Sequence, residues 1–428
     1  MVETGEIKQP FYLLLILILA GEAIFILPFV LDRIFAITFL EVFNLTNYER
    51  GLCYSTYGIV ALFSYILGGS IADRFKPNVL MSSALILTAL GGFAMATIPS
   101  YFWLKVIFGY WGFTTIFLFW SPMIKATRIW GGHSNQGKAF GFLDGGRGLV
   151  SAAIGSIGLL IFATLLGPNP EAHALAERQM AFKSVVLFTS IIVAIIGVVV
   201  FFFLKYKPSN TSEQSERQKI TLSDLILVSK IPTVIWLMLI ILCAYVGYKI
   251  TGNFSLYASQ VMNFNEVESA EIGSLLLYIR PIVGISIGFL ADITKPSKWI
   301  SIGFIFMLIG SLLFSTGVAT ESFTLFFFIA TLIMALGIYA VRVLYFAVLD
   351  EGHIPIALTG TAVGIISFIG YTPDIFVGPI KGYLLDQNPG ILGHQHVFIG
   401  IAIFALIGLF AANRFNRAIR KMKVKKDL

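Results

Sequence analysis

Charged residues are scarce in this sequence and make up only 12% of its 428 residues. Hydrophobic residues supply 57%, and the mean hydropathy is +0.86. A water-soluble protein of this length carries far more charge, so the composition excludes a soluble enzyme or binding domain. The apolar residues occur in runs of about 20, the length that a helix needs to cross a membrane. We therefore predict an all-α polytopic membrane protein.

Cysteine and histidine are also rare. Cys53 and Cys243 both lie inside apolar runs, which argues against a disulfide framework. His394 and His396 lack a third ligand nearby, so no metal site is expected. The sequence has no glycine-rich phosphate loop and no segment large enough for a soluble nucleotide-hydrolysing domain. These absences argue against primary transport and catalysis, and no cofactor is indicated.

The hydropathy pattern divides the chain into two sets of six spans. We predict an N-terminal six-helix bundle at 1–204, a cytoplasmic linker at 205–231, a C-terminal six-helix bundle at 232–413 and a basic cytoplasmic tail at 414–428. Thr221 to Asp224 in the linker can start a short interfacial helix. The predicted spans are 10–31, 51–72, 79–98, 102–126, 138–165, 180–204, 232–257, 268–291, 299–318, 322–347, 357–385 and 396–413.

An internal repeat indicates that the two halves are related. Gly69 to Pro77 reads GSIADRFKP, and Gly288 to Pro296, 219 positions later, reads GFLADITKP. A second echo pairs Gly137 to Gly141 with Gly360 to Gly364. Duplicated helical halves that enclose a substrate site at the bilayer midplane are typical of secondary transporters.

Positive charge is concentrated on one side of the predicted membrane. That side carries the linker, the tail and the loops near Arg74 and Arg128. The other side has little beyond Arg33, Arg50, Arg178 and Lys183. The positive-inside rule then places both termini in the cytoplasm of a cell whose inner, or plasma, membrane holds the protein. The net charge of +7 reflects contact with the lipid bilayer and its anionic headgroups, and no nucleic-acid partner is expected.

The first repeat resembles the loop signature of the major facilitator superfamily, Gly-x-x-x-Asp-Arg/Lys-x-Gly-Arg/Lys-Arg/Lys. Gly69, Asp73 and Arg74 fit this signature. Lys76 stands where the family has glycine, and Pro77-Asn78 stands where it has two basic residues. The resemblance covers the whole chain through the spans, the repeat and the central linker. It implies twelve transmembrane helices in two pseudo-symmetric halves and transport by alternating access.

Two further stretches extend the resemblance. The second repeat keeps Gly288 and Asp292 but has Ile293 in place of the basic residue, as often happens in the family's C-terminal half. The stretch from Trp130 to Gly141 resembles the organic-anion and sugar-phosphate branch, in which a tryptophan precedes a Gly-x-Ala-x-Gly-like helix start. This likeness suggests an anionic substrate.

The repeated loop also has a physical interpretation. Asp73 lies at the cytoplasmic end of a helix, where the negative end of the helix disfavours a carboxylate unless another group binds it. Arg74, Arg128 or a helix N-terminus can supply that partner and form a latch that opens in one state. An ordinary solvated loop is the alternative. The predicted latch consists of Gly69, Asp73, Arg74, Arg128, Gly288 and Asp292.

Several charges fall within the predicted spans, where each costs about 2.5–3.5 kcal/mol unless it is paired or hydrated. Asp144 and Arg147 are three residues apart on one helix face and can form a salt bridge that is either structural or part of a site. Lys249 and Arg280 have no acidic residue three or four positions away. Their partner is therefore Asp374 or an anionic substrate.

Glu22 has no cation on its own helix. An isolated carboxylate in a low-dielectric environment favours its neutral form, which suits proton coupling, although a tie to Arg147 or Lys249 is the alternative. We assign coupling to Glu22 and Asp144, with sodium left open as the coupled ion. The predicted substrate-binding residues are Lys249, Arg280, Arg147, Tyr248, Tyr278, Tyr371 and Asp374.

The leading hypothesis is a monomeric secondary active transporter of a small organic anion, such as a sugar acid or a phosphorylated or sulfonated metabolite. One alternative is a proton-linked exporter of lipophilic or cationic compounds, in which Glu22 and Asp374 bind the cation. Another is a transporter-like sensor that binds a ligand and signals to a partner. The central cations favour the anion.

Overall fold

The computed structural model describes residues 9–131, 136–167, 170, 173–205, 231–345, 347–349, 351–352 and 359–426. All regular elements in these residues are helical, and ten helical segments are long and apolar enough to cross a membrane. The helix Asn47–Arg74 and the broken helix formed by Thr359–Gly370 and Pro373–Gln387 supply the second and eleventh crossings. The predicted fold class is therefore confirmed.

The spans are numbered here by their observed bounds. The short helix Ala36–Val42 lies between spans 1 and 2. The linker residues 206–230, including the predicted interfacial helix, lie outside the described residues, so the domain limits stay a prediction.

Spans 1 to 6 are Phe11–Ile34, Asn47–Arg74, Pro77–Met95, Tyr101–Thr127, Gln136–Leu166 and Leu175–Phe203. Spans 7 to 12 are Pro232–Gln260, Glu266–Asp292, Pro296–Ser315, Glu321–Leu344, the pair Thr359–Gly370 and Pro373–Gln387, and Ile391–Lys426.

Each half packs around a hydrophobic core of its own. In the N-terminal half, Phe35 and Phe162 pack with their ring centroids 5.2 Å apart. In the C-terminal half, Phe314 and Phe398 stack at 4.4 Å. Each half therefore has an aromatic core of its own.

Several spans are interrupted where they face the partner half. Span 1 widens into a π-helical turn at Ile26–Val30, which contains Pro28, and span 4 does the same at Phe113–Trp120. Proline has no amide hydrogen, so the regular helical hydrogen bond cannot form at Pro28. Span 11 breaks just before Pro373, and Pro281 lies inside span 8. Such irregular turns are frequent at functional sites.

Spans 2 and 11 cross closely at one end of the bundle. A Cβ atom built on Gly378 would lie 2.8 Å from the Gly51 carbonyl oxygen, so neither backbone leaves room for a side chain. The Asp386 carboxylate accepts hydrogen bonds from the backbone amides of Asn47 at 3.0 Å and Tyr48 at 2.7 Å. Asp386 of one half thereby caps a helix of the other.

An ion cluster joins the halves at the same end. Arg178 forms salt bridges with both Glu41 and Glu266, and the Thr38 hydroxyl donates to Glu266 at 2.9 Å. We call this end, where residues 32–58, 249–273 and 374–386 meet, the closed end. The opposite end, where residues 205 and 231 lie, is called the linker end.

Candidate functional site

A cavity lies between the two halves, and we call it the central cavity. Its wall combines aromatic and aliphatic side chains with a few charged groups, as in pockets that bind small organic molecules. Both π-helical turns contribute to its wall. The lining residues are Glu22, Phe25, Phe29, Val30, Arg33, Tyr57, Tyr65, Ile116, Trp120, Arg147, Tyr245, Tyr248, Lys249, Arg342, Tyr371 and Asp374.

One ion pair in this cavity joins spans 7 and 11. The Lys249 Nζ lies 2.8 Å from Asp374 Oδ1, and the Tyr245 hydroxyl donates to the same carboxylate at 3.1 Å. Lys249 also lies over the rings of Phe29 and Tyr54 in the other half, at 4.6 and 4.5 Å from their centroids. The ammonium is thus neutralised within its own half and packed against the other.

A four-membered ion network links spans 1, 5 and 8, and two of its members, Glu22 and Arg147, line the cavity. Arg147 Nε contacts Glu22 Oε2 at 3.1 Å, and Arg280 Nη2 contacts Asp144 Oδ1 at 3.1 Å. Longer contacts cross between these pairs, from Arg147 to Asp144 at 3.9 Å and from Arg280 to Glu22 at 3.8 Å. Two carboxylates and two guanidinium groups give a network with no net charge.

The glycines of span 5 explain how this network is held so tightly. A Cβ on Gly146 would lie 2.7 Å from the Ile18 side chain, and a Cβ on Gly148 would lie 3.0 Å from Pro281 Cδ. Span 5 therefore packs with its backbone close to spans 1 and 8. Short separations between these helices bring the four charged side chains within reach of one another.

Two arginines in the cavity differ from these paired groups. The Arg342 guanidinium carbon lies 3.6 Å from the centroid of the Tyr248 ring, and that of Arg33 lies 4.8 Å from the same ring. Among the described residues, neither arginine has a carboxylate within 4 Å. The buried Nε and Nη1 of Arg342 also lack a hydrogen-bond partner there. Such a cation favours an anionic partner.

Aromatic rings from both halves form one wall of the cavity. Tyr65 and Tyr371 stack with their centroids 5.9 Å apart, and Trp120 meets Tyr371 edge-on at 6.4 Å. The hydroxyls of Tyr345 and Tyr371 lie 3.2 Å apart. The wall offers flat apolar surfaces together with phenolic hydrogen-bonding groups, which suits a hydroxylated ring or chain.

The residues predicted to bind substrate fall into two groups. Arg280 lies in the ion network, and Tyr278 is 43% exposed with its hydroxyl 3.0 Å from Ser156, so within the described residues neither lines the cavity. The predicted coupling residues Glu22 and Asp144 both belong to the network. The predicted residues that line the cavity are Arg147, Tyr248, Lys249, Tyr371 and Asp374.

The predicted latch lies at the linker end. Asp73 and Arg74 fall in the last turn of span 2, and Asp292 ends span 8. The side chains of Asp73, Arg74, Arg128 and Asp292, and the surroundings of Gly69, lie outside the described residues. A Cβ on Gly288 would meet nothing within 4 Å in the described part of the chain. The latch therefore stays a prediction.

Sequence reasoning did not select Arg33 or Arg342 as site residues. Arg33 lies beyond the predicted end of span 1 at 31, yet the helix continues to Ile34. The spacing in the sequence gives a signal for Arg33. It follows Glu22 by eleven residues, which is three turns of a regular α-helix, and this spacing predicts the same helix face for both residues. Arg342 meets the criterion that selected Lys249 and Arg280, since it has no acidic residue three or four positions away.

Comparison with known proteins identifies the architecture. A family model described as Major Facilitator Superfamily matches residues 11–379. The inner membrane protein YihN of Escherichia coli K12 is 29% identical over 427 residues, which cover 97% of each chain. The inner membrane protein YqcE of the same strain is 29% identical over 393 residues, which cover 90% of each chain.

Solved structures with the same fold belong to transporters. The D-xylose-proton symporter gives a TM-score of 0.74 at 16% identity, covering 95% of this chain and 97% of that one. A bacterial homologue of the human lysosomal transporter Spinster, in an inward-facing and occupied conformation, gives 0.71 at 16% identity, covering 96% and 97%. These likenesses establish the shared fold and carry no information about the substrate.

Proposed function

The chain belongs to the major facilitator superfamily and is a multi-pass membrane transporter rather than an enzyme, and we propose that its substrate is a small organic anion. Sugar acids and phosphorylated or sulfonated metabolites are the classes that match the cavity best. The proposal includes the cytoplasmic membrane as the location, which agrees with the names of the two Escherichia coli relatives.

The observation that carries the proposal is the position of Arg342. A buried guanidinium with free donors is stabilised by an anion, and a planar fork of donors matches a carboxylate, phosphate or sulfonate group. Tyr248 covers one face of Arg342 and leaves the edge of the guanidinium for the ligand. Arg33, over the same ring, adds a second positive charge from the other half of the molecule.

The remainder of the substrate would lie along the aromatic wall. Tyr65, Trp120 and Tyr371 provide stacking surfaces, as expected for a ligand with a ring or a short hydroxylated chain. Lys249 and Arg147 line the same cavity but are paired with carboxylates. We propose that Lys249 and Arg147 each divide their interactions between the anion and the carboxylate with which they are paired. Substrate binding and the strength of these ion pairs are therefore linked.

Alternating access requires that each end of the cavity closes in turn. The close crossing of spans 2 and 11 accounts for closure at the closed end. We propose that the linker end faces the cytoplasm, because the linker, tail and neighbouring loops carry most of the positive charge. On this orientation both termini are cytoplasmic, and the conformation described is closed to the outside.

Coupling is proposed to depend on Glu22. Its carboxylate contacts Arg147 of its own half and, at 3.8 Å, Arg280 of the other half. A proton on Glu22 would weaken both contacts and loosen the link between spans 1 and 8. Proton movement and the separation of the halves would thereby be joined at one residue.

Exporters of lipophilic cations are the alternative. A cation would require a free carboxylate in the cavity, but Glu22 and Asp374, which line it, are both paired with basic side chains in this conformation. The unpaired charge that remains in the cavity is positive. This balance favours the anion over the cation.

Thermal unfolding of the detergent-purified protein tests the proposal. Libraries of organic anions, neutral sugars and lipophilic cations would be compared, since a ligand present at 100 times its dissociation constant stabilises by about 2.7 kcal/mol. We expect stabilisation by an anion that is lost in Arg342→Gln and kept in Arg414→Gln, a matched change of an exposed arginine in the tail. Stabilisation by cations alone would favour the exporter.

A further inference from the structure

A second, smaller cavity adjoins the central cavity on the side of the closed end. We call it the closed-end cavity. Phe29, Arg33 and Lys249 line both cavities, so the two cavities share part of their walls. Arg50 comes from the N-terminal half and Lys381 from the C-terminal half, which places this space between the halves as well.

The lining of the closed-end cavity is strongly positive. It contains four cations, Arg33, Arg50, Lys249 and Lys381, but one carboxylate, Asp32, among the described residues. Asp32 is already engaged, because it contacts Arg50 Nε at 2.7 Å and Nη2 at 2.8 Å and also accepts from the Tyr54 hydroxyl. Lys249 is neutralised by Asp374 from the adjoining cavity.

Two cations of this cavity lack a carboxylate partner, and a third has a donor without a partner. In the described part of the chain, Lys381 and Arg33 have no carboxylate within 4 Å. Arg50 is only 3% exposed, yet its Nη1 has no hydrogen-bond partner among the described residues. A buried donor on a charged group that stays unsatisfied is costly, so Arg50 favours an added anion, and the uncompensated charges of Arg33 and Lys381 favour it too.

From this arrangement we propose that the closed-end cavity is a second anion-binding site, distinct from the site at Arg342. It takes a compact anionic group, either a free inorganic anion or a second anionic group of the substrate. Lys381 binds it from one half, and Arg33 and Arg50 bind it from the other. Because the cations of the two halves repel each other, the anion stabilises the closed end by lying between them.

This inference goes beyond the proposed function and does not require that an organic anion binds Arg342. The first test is the thermal stability of the Lys381→Gln variant in low-salt zwitterionic buffer. Removal of an uncompensated cation should raise the unfolding midpoint above that of the wild type. A lysine that is needed only for packing would give a lower midpoint, and that result would count against the site.

The second test uses inorganic phosphate as the probe. Its titration should raise the unfolding midpoint of the wild type saturably. Lys105→Gln, which changes a lysine stacked on Tyr101 outside both cavities, should respond as the wild type does. Lys381→Gln should need at least about tenfold more phosphate, which corresponds to a loss of one charged contact. An unsaturable rise of equal size in all variants would be a general salt effect and would overturn the site.

Two further measurements distinguish the second anion site from the proposed function and identify the source of the anion. Arg342→Gln should keep the phosphate response even if it loses the organic anion, and loss of both responses in Arg342→Gln would contradict a distinct second site. In the presence of a saturating organic anion, an additive phosphate response assigns the site to a free anion. A competitive response assigns it to a second anionic group of the substrate.

Discussion

Arg342 differs from the paired cations of the central cavity, Lys249 and Arg147, in the group that it faces. Lys249 and Arg147 each contact a carboxylate, whereas Arg342 lies against the ring of Tyr248. A cation held by a ring keeps its hydrogen-bond donors, while a cation held by a carboxylate has used some of them. At the scale of single residues, the proposed function makes this difference the one between a binding group and a structural one.

The role of the ring can be tested at Tyr248. Replacement by alanine removes the cation–π contact, which is worth about 0.5–2 kcal/mol, so affinity for the organic anion should fall by roughly 2- to 30-fold. Replacement by phenylalanine keeps the ring and should leave affinity within about threefold of the wild type if stacking is the main contribution. Ligand titration monitored by thermal stability gives both values. Equal losses in the two variants would point to the hydroxyl instead.

The Lys249–Asp374 pair should show the behaviour of a buried ion pair. Asp374→Asn leaves the ammonium of Lys249 without its counter-ion and should lower stability by about 3–5 kcal/mol. The double variant Asp374→Asn/Lys249→Gln removes the uncompensated charge and should recover part of this loss. Chemical unfolding of the two variants measures the difference, and a simple sum of two independent losses would argue against a direct pair.

The coupling role of Glu22 predicts a specific defect. Glu22→Gln keeps the shape of the side chain but cannot release a proton, so uptake should become independent of an imposed pH gradient. Exchange of labelled for unlabelled substrate across the membrane should continue, because it needs no net proton movement. Both rates are measured in proteoliposomes. An unchanged dependence on the pH gradient would exclude Glu22 from coupling.

The sequence alone identified which charges were unusual but not how they pair. Lys249 and Asp374 could be named as possible partners, since both lie in apolar helices without a local counter-ion. The contacts of Glu22 with both Arg147 and Arg280 depend on which helices are neighbours, and periodicity within one helix carries no such information. Asp144 and Arg147 illustrate this limit, because their mutual distance of 3.9 Å is longer than the contacts that each makes with another span.

At the scale of elements, we propose that the crossing of spans 2 and 11 determines how far the closed end can close. Gly51 and Gly378 face each other with their backbones in contact, and Gly382 lies against Asn47 in the same way. The Asp386 carboxylate fixes the register by capping span 2. Small residues at a helix crossing and a polar cap across it suit a contact that forms and breaks repeatedly.

Substitution at this crossing should hold the closed end open. Gly51→Ala places a methyl group against the Gly378 carbonyl, so closure requires the helices to move apart. In a background with Cys53 and Cys243 replaced by alanine, a cysteine at Val377 should then react faster with a membrane-impermeant maleimide, by roughly tenfold or more. Val377 lines the closed-end cavity and is 7% exposed.

Gly400→Ala serves as the matched control for this experiment, because a Cβ at Gly400 meets nothing within 4 Å in the described residues. Labelling in that variant should equal that of the background. If Gly51→Ala labels no faster than Gly400→Ala, the glycine crossing does not control access.

The limits of the spans show why element prediction was only partly accurate. Hydropathy ends span 1 at 31, but the helix continues through Asp32 and Arg33 because Arg50 and Tyr248 receive these polar side chains. Span 2 begins at Asn47, earlier than the predicted 51, because Asp386 caps it from span 11. In both cases a tertiary contact extends the helix beyond the apolar run.

At the scale of the whole molecule, two cores carry the stability of the halves and the surface between them carries the charges. Composition and the repeat were sufficient to predict this division, because a duplicated set of apolar helices must bury its apolar faces within each half. The cavities lie where the halves meet, and in the proposed transport cycle the contacts of the closed end hold one access route shut. Their positions could not be predicted, since they follow from the packing of one half on the other.

The most direct test of the account is uptake of the organic anion into proteoliposomes by the purified protein. We expect uptake in the wild type and in Arg414→Gln, and a loss of at least about 100-fold in Arg342→Gln, because the variant removes a charge-assisted bidentate contact. Circular dichroism and size-exclusion profiles would establish that the variant is folded. Wild-type uptake by Arg342→Gln, or transport of cations but no anion by the wild type, would contradict the central claim.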